Sequence, residues 1–181
     1  MTLLVTGGAA GIGLAVVNAA RERGERVVVL DRNTGVDASD PGAVEDFVSS
    51  TGPFTRLAHI AGVVGSGRLS ETSDEEWDRV LRNNLTSAFV VARSVIPRMA
   101  QAGGGAVVLM SSLNARDGGT RLSGAAYASA KAGVLGLMRH LAVDYGPENV
   151  RVNAIAPGPV KTAMHDRLSQ SQKGFVSRNC G

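Results

Sequence analysis

The sequence is short of cysteine, of clustered charge and of long apolar runs, and each shortage closes off a class of protein. Its single cysteine, Cys180, has no second thiol to pair with inside the chain. A disulfide scaffold is therefore excluded, and the residue is compatible with a reducing compartment. No apolar run approaches the ~20 residues of a membrane-spanning helix. No basic-then-apolar leader precedes the first apolar stretch, so no membrane partner is expected and the cytoplasm is the expected compartment. The net charge of +3 is scattered, and no Lys/Arg run marks a nucleic-acid stripe, so nucleic acid is not an expected partner. The 23 glycines follow no period, which excludes a collagen-like chain. With 44% hydrophobic and 19% charged residues among 181, what remains is an ordinary globular domain large enough to bury a core.

Apolar patterning then supplies the elements. Residues 3–5 form a short apolar strand, followed by Thr6-Gly7-Gly8-Ala9-Ala10-Gly11-Ile12-Gly13. Over residues 12–23, Ile12, Val16, Ala19 and Ala20 fall at helical spacing, with Gly24 as the stop. Residues 27–30 are a continuous β-branched run ending in Leu30, the mark of a strand buried on both faces. Strand, glycine turn, helix and strand make a βαβ unit. No helical pattern follows Asp31, so a second crossover helix is missing or reduced to a loop. Asp40 and Pro41 open a helix over 41–50. A strand over 57–61 ends at Gly62. Ser73 and Glu76 form a capping box that starts a long helix over 74–100, which Pro97 kinks or ends. A strand over 106–110, a polar loop over 111–124, a second long helix over 125–145 and a strand over 150–156 complete the pattern. Alternating strands and helices predict α/β architecture, a doubly wound parallel sheet.

Three groups of residues carry possible chemistry. The glycine turn lies between a strand and a helix, where backbone N–H groups and the helix N-terminus favour a phosphate. Asp31 stands at the end of the second strand, 18 residues past Gly13. An acid there accepts hydrogen bonds from both ribose hydroxyls of NAD and repels the 2′-phosphate of NADP, so NAD is expected over NADP. Its neighbour Arg32 complicates this, because an arginine can accommodate that phosphate. Tyr127 and Lys131 are spaced i, i+4 on one helix face. An ammonium beside a phenol favours the phenolate, and a tyrosine so tuned can exchange a proton with an alcohol or alkoxide. Taken alone, the pair reads more simply as a packed tyrosine and a solvated lysine.

The motifs together resemble those of the short-chain dehydrogenase/reductase family. Thr6 to Gly13 matches the family's TGxxxGIG turn, and Tyr127-Ala-Ser-Ala-Lys131 its YxxxK motif. Asn84 falls where the family has its active-site asparagine, with Asn83 as the competing choice. Ser112 falls where it has the carbonyl-polarising serine, with Ser111 as the competitor. Pro157-Gly158-Pro159-Val160-Lys161-Thr162 matches its PGxVxT segment. The resemblance implies an NAD-linked oxidoreductase acting on a secondary alcohol or ketone. Tyr127 would be the general acid/base, Lys131 its tuner and a ligand of the nicotinamide ribose, Ser112 a donor to the substrate oxygen, and Asn84 the holder of a relay water. Gly7, Gly11, Ile12, Gly13, Asp31, Ala61 and Gly62 would line the cofactor. Asp37 and Ala38 resemble the family's adenine-contacting pair. Pro157, Gly158, Val160 and Thr162 would hold the nicotinamide. No metal is implied. Homodimers or homotetramers through the two long helices are expected.

The match also has departures. His59-Ile60-Ala61-Gly62 stands where the family has Asn-Asn-Ala-Gly, and His59 reads as structural. The spacing from Ser112 to Tyr127 is slightly longer than usual. The family's lid, last helix and seventh strand have no counterpart here. The expectation is therefore a Rossmann-type sheet of six strands within a domain over residues 1–168, followed by an irregular tail over 169–181. A cofactor-binding protein with little or no activity is the alternative reading. Residues 65–69 and His165 are expected at the pocket mouth, and substrate selection in the 111–124 loop.

Overall fold

The computed structural model of the chain describes residues 1–162, 169, 171 and 172. His165, Cys180 and the expected domain boundary at residue 168 lie outside the described residues. Five parallel strands form one sheet in the order β2-β1-β3-β4-β5. They are β1 (Thr2–Thr6), β2 (Arg26–Leu30), β3 (Arg56–His59), β4 (Gly105–Met110) and β5 (Val150–Ile155). The helices are α1 (Gly11–Glu22), α2 (Pro41–Thr51), α3 (Asp74–Leu81), α4 (Ser87–Gln101), α5 (Asn114–Asp117) and α6 (Gly124–Tyr145). The order steps outward from β1 in both directions, so the sheet reverses winding between β1 and β3. The strand ends at that switch point open a crevice.

The sheet has five strands among the described residues, not the expected six, and the reason is chain length. Only residues 31–40 separate β2 from α2. A parallel crossover alone takes about a dozen residues. These ten are spent on a single 3-10 turn, Arg32–Thr34, capped by the Asp31 side chain and closed by Gly35 at φ +88°. β2 is thus an edge strand.

Apolar side chains of alternate strand residues pack on the two faces. Leu4, Leu30, Leu57, Val107, Leu109 and Val152 are buried with Val44, Val48, Val91, Ile96 and Val134 of α2, α4 and α6. Leu3 and Val5 are buried on the opposite face against Val17 and Ala20 of α1. The expected long helix over 74–100 is interrupted by a π turn, Arg82–Thr86, between α3 and α4. Pro97 does not end α4, which continues to Gln101.

β3 ends at His59, two residues before the expected Ala61. The Ile60 amide is shared between Thr6 O and Thr6 Oγ1, at 3.2 and 3.1 Å, and the Ala61 amide donates to Thr6 Oγ1 at 3.2 Å. With its acceptor role filled, Thr6 Oγ1 donates to His59 Nδ1 at 2.9 Å. His59 Nε2 then carries the proton and donates to Ser87 Oγ at 3.3 Å, and Ser87 Oγ donates to Asn83 O at 2.9 Å. His59 thus ties β1, β3 and the start of α4 together. Burial, and after it the charge of Lys131, pushes its pKa down to about 3.

A pH dependence follows. His59 is neutral in the fold and gains a proton near its ordinary 6.5 once unfolded. Its contribution is complete above pH 6.5 and is lost as pH falls from 6.5 towards about 3. His59→Asn is expected to flatten the acid limb of stability by up to about 1.4 kcal/mol per pH unit in that window. Urea titrations of both proteins at pH 4.5 and 7 measure it, and equal slopes would contradict it.

Candidate active site

The glycine turn is shaped by close approaches that only glycine permits. Gly7 has φ +68°, and a Cβ there would lie 2.8 Å from the Ala61 backbone. A Cβ on Gly13 would lie 2.0 Å from Gly7 O. Ala10 at the N-cap of α1 offers no side-chain oxygen, so the first amides of the helix have no side-chain cap. These uncapped donors face a cleft of about 730 Å³ that Gly7, Gly11, Ile12 and Gly13 line. An anion is the group such a terminus suits.

The other walls come from the C-terminal ends of the strands and the elements that follow them. Asp31, Ala61, Gly62, Asn84, Ser112, Tyr127, Lys131 and the 157–162 segment all reach this cleft. Asp37 and Ala38 do not. They line a smaller pocket of about 140 Å³ that shares Gly7, Asp31, Ala61 and Gly62 with the cleft. Asp31 accepts from Ala9 N at 3.1 Å and Asn33 N at 2.9 Å, which fixes its carboxylate at the border of the two spaces.

The paired choices left open by sequence separate in space. Asn83 lines the smaller pocket, while Asn84 lines the cleft from the π turn. Asn84 Nδ2 donates to Val63 O and Val80 O, at 2.7 and 2.8 Å. Its Oδ1 is buried with no hydrogen-bond partner, which is costly in the absence of a water or ligand. A Cβ on Gly62 would lie 2.5 Å from that oxygen and 3.4 Å from Lys131 Nζ. Ser111 Oγ donates to Lys131 O at 2.8 Å, bolting β4 to α6. Ser112 Oγ instead accepts from Asn114 N at 3.2 Å, which leaves its proton for the cleft.

Lys131 is buried, and Nζ lies 5.6 Å from the Tyr127 ring centroid. One of its protons goes to Met110 O at 2.8 Å. Burial pushes its pKa down to about 8. Asn114, Asp117, Thr120 and Ser123 also line the cleft. Sequence singled out their loop but none of these residues, because α5 is too short to leave a periodic signal. The expected mouth residues 65–69 do not line the cleft, whereas their neighbour Val64 does. Among the described residues no cluster of His, Cys, Asp and Glu could hold a metal, and no helix is long and apolar enough to cross a membrane.

A parallel sheet with a switch-point cleft, opened by an uncapped glycine turn, makes this a Rossmann-type α/β protein. Comparison with known proteins narrows the class. The family described as Enoyl-(Acyl carrier protein) reductase matches residues 34–178. A short-chain type dehydrogenase/reductase of Sinorhizobium fredii is 31% identical over 203 residues, covering 97% of this chain and 80% of that protein. A 3-alpha-(or 20-beta)-hydroxysteroid dehydrogenase of Mycobacterium bovis is 34% identical over 184 residues, covering 90% and 70%. The crystal structure of a short-chain dehydrogenase/reductase family oxidoreductase from Burkholderia thailandensis superimposes with a TM-score of 0.83 at 30% identity, over 99% of this chain and 73% of that one. The chain belongs to the short-chain dehydrogenase/reductase family, whose members named here are oxidoreductases.

Proposed function

We propose that the protein transfers a hydride between NAD(H) and a secondary alcohol or ketone. The observation that carries the reading is one cleft lined both by an uncapped glycine turn and by Tyr127, Lys131, Ser112 and Asn84. A bound nicotinamide supplies or takes up the hydride. Tyr127 gives its phenolic proton to the substrate oxygen in reduction and takes it back in oxidation. Ser112 Oγ donates a hydrogen bond to the same oxygen as charge develops there. Lys131, as the ammonium, favours the phenolate electrostatically and holds the nicotinamide ribose. The orphaned Asn84 Oδ1, across Gly62 from Nζ, supports a water at that position to pass protons onward.

Cofactor placement follows the same logic. Gly7, Gly11, Ile12 and Gly13 hold the pyrophosphate, Asp31 the adenosine ribose, and Asp37 and Ala38 the adenine side. Ala61 and Gly62 allow close approach, and Pro157, Gly158, Val160 and Thr162 hold the carboxamide. Asp31 favours NAD over NADP, whose extra phosphate would meet a fixed carboxylate. The proposed compartment is the cytoplasm. Homodimers or homotetramers form through α4 and α6, and the exposed Phe89 and Val143 support such a contact.

NADH fluorescence titration followed by turnover over a panel of ketones tests the reading. Binding with turnover is expected. Binding without turnover would favour the inactive cofactor-binding alternative. Serine variants sharpen the assignment. Ser112→Ala is expected to lower kcat by roughly 10²-fold with stability unchanged. Ser111→Ala is expected to cost about 1 kcal/mol of stability, with kcat within a few-fold. The reverse pattern, read by steady-state kinetics and thermal melts, would exchange the two roles.

A further inference from the structure

The short connection after β2 places a cation beside the acid that faces the adenosine ribose. Asp31 and Arg32 are adjacent, and both line the smaller pocket. An arginine there is the side chain a 2′-phosphate would recruit, since its fork matches phosphate oxygens. Its present partners are different. Arg32 Nε and Nη2 donate to Asp37 Oδ2 at 3.0 and 2.8 Å, and Nη2 also donates to Asn83 Oδ1.

Both acceptors are themselves held. Asp37 Oδ1 accepts from Ser39 N and Ser39 Oγ, each at 2.8 Å, which leaves Oδ2 for the arginine. Burial opposes the charge on Asp37, but the Ser39 and Arg32 hydrogen bonds outweigh it and hold the carboxyl below its ordinary value. Asn83 Nδ2 donates to Arg79 O at 2.7 Å, which orients Oδ1 towards Arg32. Asn83 belongs to the π turn that carries Asn84, so the clamp runs from the β2 loop to the wall of the cleft.

We infer that Asn83 and Asp37 are specificity-determining residues, which set the preference for NADH over NADPH by holding Arg32 away from a 2′-phosphate. The inference rests on the proposed NAD(H) reading. Asp31 accounts for part of the discrimination by repulsion. The clamp accounts for the rest, because it neutralises and orients the one cation within the smaller pocket's lining that could offset that repulsion. NADPH must then bind beside a carboxylate without a free counter-charge, or break the clamp first.

The test measures NADH and NADPH dissociation constants by fluorescence for the wild type, Asn83→Ala, Asp37→Asn, Arg32→Ala and Asn83→Ala/Arg32→Ala. The ratio of the two constants is the readout, because a merely structural loosening weakens both cofactors together. Asn83→Ala, which changes no charge, is expected to shift the ratio towards NADPH by roughly three- to fivefold, the scale of an exposed ion pair. Asp37→Asn is expected to shift it further, since it also removes a negative charge. Arg32→Ala alone is expected to leave the ratio within about twofold, and to cancel the shift in the double variant. An unchanged ratio in Asn83→Ala, or a loss of NADPH affinity of about tenfold in Arg32→Ala alone, would overturn the inference while leaving the NAD(H) reading intact. Failure of the wild type to bind either cofactor would overturn both.

Discussion

Tyr127→Phe is expected to lower turnover by roughly 10³-fold while NADH affinity changes by less than about threefold. The substitution removes one hydroxyl and keeps the ring over which Lys131 Nζ sits. Packing of α6 is therefore retained, and a thermal melt is expected to show little change. On the proposed mechanism, what disappears is the proton that accompanies hydride movement. The roles proposed for Ser112, polarising the substrate oxygen, and for the glycine turn, holding the cofactor, would both remain. Comparable activity in this variant would remove Tyr127 from the mechanism, whatever the cause of its spacing to Lys131.

Gly13→Ala carries the second large effect, and its cause is steric rather than conformational. Gly13 has no positive φ, so alanine fits its backbone. The new Cβ would, however, sit 2.0 Å from Gly7 O and 2.7 Å from Gly7 C, both backbone atoms. Gly7 cannot retreat, because it is already packed against the Ala61 backbone. The turn must open, with a loss of about 2–4 kcal/mol of stability and of NADH binding by roughly 10²-fold or more. Gly136→Ala in α6 is the control, since a Cβ there meets nothing within 4 Å. It is expected to raise stability by up to about 1 kcal/mol. Urea unfolding and NADH titration of both variants check the contrast, and equal behaviour would contradict the close-packed turn.

The βαβ start, the glycine turn and the Tyr127–Lys131 face were legible in the sequence because each depends on local rules. Apolar period, glycine at a crowded turn and i, i+4 spacing need no knowledge of distant contacts. Adjacent polar pairs were not legible in the same way. Ser111 and Ser112 differ only in direction, and the direction comes from Ser111 Oγ reaching Lys131 O across twenty residues of chain. Asn83 and Asn84 both lie on a π turn that sends them to different pockets, and no apolar period announces such a turn. The sixth strand that the family resemblance implies has no room, because residues 31–40 between β2 and α2 are too few for another strand and its crossover. His59 was read as structural, but its partners Thr6 and Ser87 lie on other elements and were out of reach of any local pattern.

Hydride transfer is proposed for the cleft shared by the glycine turn and Tyr127. Deuterium tracing tests it most directly. NADH deuterated at the nicotinamide C4 is incubated with the protein and a ketone panel, and the alcohol products are analysed by mass spectrometry. Deuterium is expected on the carbinol carbon of at least one product with the wild type and none above background with Tyr127→Phe. Tight NADH binding with no deuterium in any alcohol formed by the wild type would contradict it.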